Sequence, residues 1–352
     1  MTTNDTPSYT REQLQAMLRE RAAQIPDGPS DSESRGNTSG NGLPGTATSE
    51  PQGLHCMNYQ DFMGKAYPPR KMLLAPVIPH QGLCMLYAPR GVGKTFASLS
   101  IAHAVASGGG VFGRGNAPEP ARVLFIDGEM PAVTLQERLR DIAAGSASAI
   151  ASSDMLRIIT PDEQDGPMPN LATPAGQEAV EPFLAGVDLV VLDNLATLAR
   201  GGRANDEESW LPVQTWLLGL RRRGIAALCI HHAGKGGDQR GTSAKEDVLD
   251  TVVSLRRPTD YKADEGARFE IHFTKARGLC GAEANPFEAM LRTDASGGLV
   301  WHTRDIEIAK MEQLRKLLAE GCSVRDAAEE MGVPKSTVAR WRKLLATQEG
   351  TE

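Results

Sequence analysis

Ala88-Pro-Arg-Gly-Val-Gly-Lys-Thr95 is the stretch whose reading decides the fold of this chain. The apolar run Leu83 to Tyr87 leads into it and predicts a short buried strand. Behind it, Phe96 to Ala106, rich in Ala, Leu and Ile, predicts a helix. Strand, glycine-containing loop, Lys-Thr and helix form the context that a phosphate-binding loop requires. Gly91 and Gly93 let the backbone curl so that several N–H groups point at one anion. A helix beginning at Lys94 adds the positive end of its dipole. Lys94 can reach the β- and γ-phosphates of a nucleotide, and the Thr95 hydroxyl can ligate Mg²⁺. Ala88 stands where the motif has its first glycine, which requires a negative φ there. The expected binding residues are therefore Ala88, Pro89, Arg90, Gly91, Val92, Gly93, Lys94 and Thr95, with Phe96 behind them.

Working outward, Arg122 to Pro131 reads as a second buried strand ending in Asp127-Gly-Glu129, and Val133 to Ala144 as the helix after it. Leu156 to Thr160 is a weaker strand and Pro174 to Leu184 a helix. Val187 to Asn194 is the third strong strand, Asp206 to Arg223 a helix, and Ile225 to His231 the fourth strand. Val248 to Leu255 and Phe269 to Lys275 continue the sheet, which Leu299 to His302 completes. Strands alternating with helices predict an α/β domain with a mainly parallel sheet covered on both faces.

A nucleotide hydrolase needs a carboxylate for its metal, a base for water and a sensor for the γ-phosphate. Asp193 follows four apolar residues at the carboxyl end of a strand, the position from which a carboxylate holds Mg²⁺. Glu129 ends the neighbouring strand, where it can polarise the attacking water. His232 closes the fourth strand and can touch the γ-phosphate, while His231 points into the fold. A metal held by both histidines is the rival reading, which the opposite facing of adjacent strand residues disfavours.

The remainder of the chain bounds these readings. With 352 residues and a net charge of −6, it advertises no general affinity for nucleic acid, so any DNA contact needs a local basic patch. It contains no apolar run long enough to span a membrane and no apolar signal core, so a cytoplasmic protein is expected. Its cysteines, Cys56, Cys84, Cys229, Cys280 and Cys322, are scattered without a C-x-x-C pair, the usage of a reducing compartment. Thr10 to Ala23 predicts an amphipathic helix, either solvated or a docking helix for a neighbouring subunit or partner. Pro26 to Gln52 is too polar to order itself and reads as a linker. The expected organisation is an N-terminal helix over 1–25, a linker over 26–57, an ATPase domain over 58–304 and a helical unit over 305–352. In that last unit Ile306 to Ala319, Val324 to Met331 and Lys335 to Ala346 predict three short helices with a tight turn before the last.

With these motifs together, the region from about Pro68 to His302 resembles the RecA-like ATPases of the hexameric-helicase branch, and most nearly the plasmid RepA-type replicative helicases. The likeness rests on the phosphate loop, Asp-Gly-Glu-Met-Pro131, Val-Val-Leu-Asp193-Asn, His231-His-Ala-Gly-Lys and Arg240-Gly-Thr-Ser. It implies a RecA-like core, ATP with Mg²⁺ bound between subunits of a homo-oligomer, typically a hexameric ring, and a positive finger supplied by the neighbour. Lys275 and Arg277 resemble the Lys-x-Arg finger pair of DnaB-type helicases; Arg240 resembles the RepA-type position. The Gly-rich loops after Asp193 and His232 carry Arg200, Arg203, Lys235 and Arg240, which suits tracking of a single-stranded DNA backbone.

Ser323 to Trp341 is similar to the helix-turn-helix of resolvase-type recombinases, with Ala327, Ala328, Val333, Val338 and Trp341 as its core. That likeness puts Lys335, Ser336, Thr337, Arg340, Arg342 and Lys343 on or near an exposed recognition helix suited to duplex DNA. A protein-docking module is the alternative. Two functions follow: an ATP-driven ring motor on single-stranded DNA serving replication of a plasmid, phage or integrated element, or a DNA-binding regulator or recombination mediator that uses ATP as a switch.

Overall fold

The computed structural model of the chain describes residues 55–201, 207–233, 246–295 and 297–349, the side chains of 207–209 and 347–349 excepted. Two compact units result, Met1–Ala66 and Tyr67–Glu352. In the first, the short helix α1 (Tyr59–Gly64) is begun by Asn58, whose side-chain oxygen accepts the Asp61 amide at 2.9 Å. The helix expected over Thr10 to Ala23 lies outside the described residues.

The second unit opens with a small hairpin, β1 (Met72–Leu74) and β2 (Ile78–Pro79), before the central strand β3 (Leu83–Ala88) and helix α2 (Lys94–Ser107). A second small hairpin, β4 (Gly110–Val111) and β5 (Gly115–Asn116), precedes β6 (Val123–Asp127), α3 (Ala132–Ala144) and β7 (Leu156–Ile159). Then come α4 (Pro174–Val180), β8 (Leu189–Asp193), α5 (Leu195–Leu198), α6 (Glu207–Arg222) and β9 (Ala226–His232). β10 (Thr251–Arg256), β11 (Arg268–Ala276), β12 (Phe287–Thr293) and β13 (Leu299–Asp305) finish the sheet.

The main sheet has nine strands in the order β13-β12-β11-β10-β3-β9-β8-β6-β7. From β10 to β7 neighbours are parallel. Every residue of β3, β6 and β8 is buried, the signature of strands covered on both faces. Alternation along β3 divides the core into two layers. Cys84, Leu86 and Ala88 join Leu99, Ile101 and Val105 of α2 on one face; Leu83, Met85 and Tyr87 join Val213, Leu217 and Leu220 of α6 on the other. Cys84 and Cys229 lie fully inside, and burial pushes both thiols up to about 12, whereas Cys56 and Cys280 are exposed.

The expected α/β class with a mainly parallel sheet is thus what the chain forms, with one addition. β11, β12 and β13 are an antiparallel meander on the β10 edge. The sequence reading misses β12. Phe287, Ala289 and Leu291 do alternate inward there, but between them Glu288 is a buried charge in a strand, against ordinary strand patterning.

The C-terminal helices α7 (Ile306–Ala319), α8 (Val324–Glu330) and α9 (Lys335–Glu349) enclose a core of their own. Ala327, Ala328, Val338 and Trp341 are buried in it and Val333 packs at its margin, as the sequence pattern requires. Ser323 caps α8 by accepting the Asp326 amide at 3.3 Å. Gly332, at φ 61°, makes the turn into α9, a left-handed conformation that favours glycine.

Candidate nucleotide-binding site

The carboxyl ends of β3, β6, β8 and β9 meet at one crevice, and the phosphate loop bends over it. Gly91 and Gly93 take φ values of 77° and 117°. At Gly93 a Cβ would also come within 3.1 Å of Ala267 and 3.2 Å of the Phe269 ring, so both conformation and space demand glycine. Among the described non-glycine residues positive φ occurs at Gln81 and Phe112, so Ala88 meets the condition set for it. Arg90, Gly91, Gly93, Lys94, Thr95 and Phe96 line a cavity of about 600 Å³. The Ala88 and Val92 side chains are buried in the core instead. Ala88 and Pro89 take part through their carbonyls, which accept from Lys94 Nζ at 3.1 and 2.9 Å.

The acidic residues converge on the same cavity. Asp127 and Asp193 are register partners on adjacent strands, and His232 is opposite Ala88. Asp193, 3% exposed, accepts from Ser98 Oγ at 2.8 Å and from the Thr95 side chain. Glu129 is fixed from two sides. Its amide and that of Met130 donate to Asp127 at 3.1 and 2.7 Å, and its carboxylate accepts from Asn194 Nδ2 at 2.6 Å. His232 Nε2 is 3.9 Å from that carboxylate, while His231 is buried. Two histidines facing different environments do not form a shared metal site, and no cluster of three metal-ligating side chains occurs among the described residues. Thr95 and Asp193 supply two adjacent oxygens, which fits Mg²⁺, an ion that takes few protein ligands and completes its shell with phosphates and water.

Burial sets the electrostatics. Desolvation lowers the Lys94 ammonium to about 8, opposed by Asp193 and Glu129, and raises Asp193 to about 6, opposed by the Ser98 hydrogen bond. Desolvation also raises Asp127. A bound phosphate favours charged Lys94, so binding must recharge the lysine wherever it is neutral. Nucleotide affinity should hold below pH 8 and fall above it, approaching about tenfold per unit. A fluorescent ATP analogue titrated from pH 7 to 10 measures this; a flat profile would mean that Lys94 does not meet the phosphates.

Residues 54–238, more than half of the 352-residue chain, match the AAA domain family. The chain belongs to that family. Residues 308–352 match the homeodomain-like domain family. Among solved structures, the chain is similar to a KaiC-like protein from the hyperthermophilic archaeon Pyrococcus horikoshii OT3, at 15% identity over 65% of this chain and 93% of that one, with a TM-score of 0.44. It is also similar to a flagellar accessory protein from Methanocaldococcus jannaschii, at 12% identity over 64% of this chain and 91% of that one, with a TM-score of 0.42.

Within this AAA domain several cavity residues were not legible beforehand. Asn194, which holds Glu129, directly follows Asp193, and that adjacency was the available signal. Ser98 is one turn beyond Thr95 on the same helix face. Arg138 of α3 covers the Phe96 ring at 4.5 Å, and Tyr261 with Gly266 and Ala267 closes the cavity from the β10–β11 side.

Other expected residues lie elsewhere. Lys275 and Arg277 stand at the end of the sheet opposite the phosphate loop, because β11 runs antiparallel to β10 and Ala276 pairs with Thr251. There they hold backbone carbonyls: Lys275 those of Glu246 and Asp247, Arg277 that of Asp247 at 2.9 Å. Neither can reach its own chain's cavity. Arg200 donates to the Met168 carbonyl. Arg203, Lys235 and Arg240 lie outside the described residues. On α9, Lys335, Ser336, Arg342 and Lys343 are exposed along one outer face, and Thr337 is half-buried. Arg340 sits on the flank toward α7, its guanidinium donating to Glu307 at 2.9 Å beside the Trp341 indole N–H at 2.8 Å. The AAA domain and its helical unit have, among the described residues, no helix long and apolar enough to cross a membrane.

Proposed function

We propose that this chain is an ATP-hydrolysing, ring-forming DNA motor of the cytoplasm, most nearly a RepA-like replicative helicase of a plasmid, phage or mobile element. The observation that carries the reading is the convergence of Lys94, Thr95, Asp193, Glu129 and His232 on one cavity at the carboxyl ends of parallel strands. In this mechanism Lys94 gives up the Ala88 and Pro89 carbonyls for phosphate oxygens. Mg²⁺ at Thr95 and Asp193 would offset phosphate charge when bound. Glu129, held by Asn194, takes a proton from water as its oxygen bonds to the γ-phosphorus and the bond to the bridging oxygen breaks. His232 touches the γ-phosphate beside Glu129. A fluorescent duplex with a single-stranded tail tests the motor: displacement that requires hydrolysis is expected.

The position of Lys275 and Arg277, far from their own cavity, supports catalysis between subunits. Arg277→Ala chains should bind ATP yet hydrolyse it poorly. Mixed with Lys94→Ala chains they should regain a measurable fraction of wild-type turnover, since an intact pocket and an intact finger can then meet. Mixed oligomers that stay dead would count against a finger in trans; Arg240→Ala is the parallel experiment.

A second reading, an ATP-switched DNA-binding regulator or mediator, draws support from the helical unit with its separate core and basic outer face. Loss of residues 306–352 should leave single-strand-stimulated hydrolysis within about threefold, while duplex affinity falls. Loss of Arg342 or Lys343 should weaken all duplexes alike and reduce the salt slope by about one each. Arg340 could reach a base edge only by leaving Glu307. ATP-dependent duplex binding without strand displacement would favour the regulator.

A further inference from the structure

One face of the β11–β13 meander packs Phe269, Phe287 and Ala289 into the core beneath α2. The other carries a row of charges. Arg268, only 3% exposed, bonds to three carboxylates through all three nitrogens of its guanidinium. Its Nε and Nη2 donate to Glu288 at 3.1 and 3.0 Å, its Nη1 to both oxygens of Glu265 at 3.0 and 2.9 Å, and its Nη2 to Asp260 at 2.8 Å. Glu288, 4% exposed, also accepts from Arg304 Nε at 2.8 Å. Arg304 in turn donates through Nη1 to Glu312, on α7. Arg304 and Glu312 therefore tie the helical unit to the meander.

The other end of the row reaches the phosphate loop. Asp260 and Glu265 belong to the segment that also carries Tyr261 and Gly266, two walls of the nucleotide cavity. Arg257, at the start of that segment, donates to the Gly91 carbonyl and lies 3.5 Å over the Tyr261 ring, and the Tyr261 hydroxyl donates to the Gly266 carbonyl at 3.1 Å. Ala267 and Phe269, on either side of Arg268, are the residues against which Gly93 packs. The cavity wall is thus held to the phosphate loop at two points, and to α7 through buried Arg268 and Glu288 and then the solvent-accessible Arg304–Glu312 pair. A buried guanidinium bonded to three carboxylates cannot follow one of them without straining its bonds to the others, so a shift at one end of the row is felt at the other.

We infer that Arg268, Glu288 and Arg304 are positioning residues that set the stability of α7, and with it the helical unit, according to whether a nucleotide fills the phosphate loop. This rests on the nucleotide reading of the cavity and names the regulation of that same site. Binding of phosphates draws on the loop that Arg257 and Phe269 touch. The displacement passes through the wall segment to Arg268, then through Glu288 and Arg304 to Glu312. The expected result is a nucleotide-dependent change in local opening of α7, a helix none of whose residues lines the cavity.

Amide hydrogen exchange over Ile306–Ala319 tests this in the full chain, with ATP held unhydrolysed by Glu129→Gln. ATP should change exchange there by about threefold or more. Adding Arg304→Ala or Glu312→Ala should abolish that response while ATP affinity, read with a fluorescent analogue, stays within about twofold. Arg304→Lys, which keeps the charge, should restore part of it; a purely structural role would not distinguish lysine from alanine in the response to ATP. Exchange that ignores ATP in the parent, or responds fully in both alanine variants, overturns the inference. Failure of the wild-type chain to bind ATP would overturn the nucleotide reading itself, whereas ATP bound without any response at α7 overturns only the coupling.

Discussion

Glu129→Gln should bind ATP with near-native affinity and hydrolyse it about 10²–10⁴ times more slowly, the usual share of a general base. The amide keeps the size of the side chain, and its oxygen can still accept from Asn194 Nδ2, which now meets the carboxylate at 2.6 Å. The turn that carries it is fixed independently, because Asp127 holds the Glu129 and Met130 amides. Only the ability to take a proton from water is lost. Single-turnover hydrolysis beside equilibrium binding of a fluorescent ATP analogue checks both halves. If the variant fails to bind, Glu129 shapes the site rather than acting as its base; if it turns over normally, the base is another group.

The second large effect joins two opposite changes in one variant. Asp193→Asn should reduce hydrolysis by about 10² or more, since the metal carboxylate disappears from the strand end. The same change should stabilise the nucleotide-free protein above pH 6. Asp193 is buried, and burial raises its carboxyl to about 6, so the fold favours the protonated form. Below pH 4 the acid is neutral both folded and unfolded, and the carboxyl carries no penalty. Between pH 4 and 6 the unfolded chain loses its proton first, so stability falls as pH rises; the full cost is present above 6. The asparagine avoids it, and a gain of about 1–3 kcal/mol is expected at pH 7. Urea unfolding in chelator from pH 4 to 8 reads this as two curves that converge in acid. Parallel curves would mean that Asp193 is not the buried group that titrates.

The strands that build the cleft were legible because each is an apolar run stopped by a polar residue. Leu189 to Leu192 ends in Asp193 and Val123 to Ile126 in Asp127, and strand alternation separated His232, at the cavity, from buried His231. The meander was less legible for the converse reason. Arg268, Glu288 and Arg304 break the apolar pattern, and only their mutual pairing, between residues 20 and 16 positions apart, lets charged side chains occupy buried strands. The same holds for Asn194, whose partner Glu129 is 65 residues away. Periodicity reports how a residue faces its own layer and is silent about which distant side chain completes its bonding. That is why Lys94, Asp193 and Glu129 could be named from local pattern while the residues that hold them in place could not.

The uneven accessibility of the cysteines offers a practical handle on assembly. Cys84 and Cys229 are sealed in the sheet with thiols near 12, so at neutral pH they present almost no thiolate to an alkylating dye. Exposed Cys280 follows Arg277 by three residues and marks the pole of the sheet remote from the phosphate loop. With Cys56 and Cys322 replaced by serine, a fluorophore coupled to native chains would report from that pole alone. Energy transfer between donor- and acceptor-labelled copies would then follow subunit association directly, independently of turnover and without installing any new thiol.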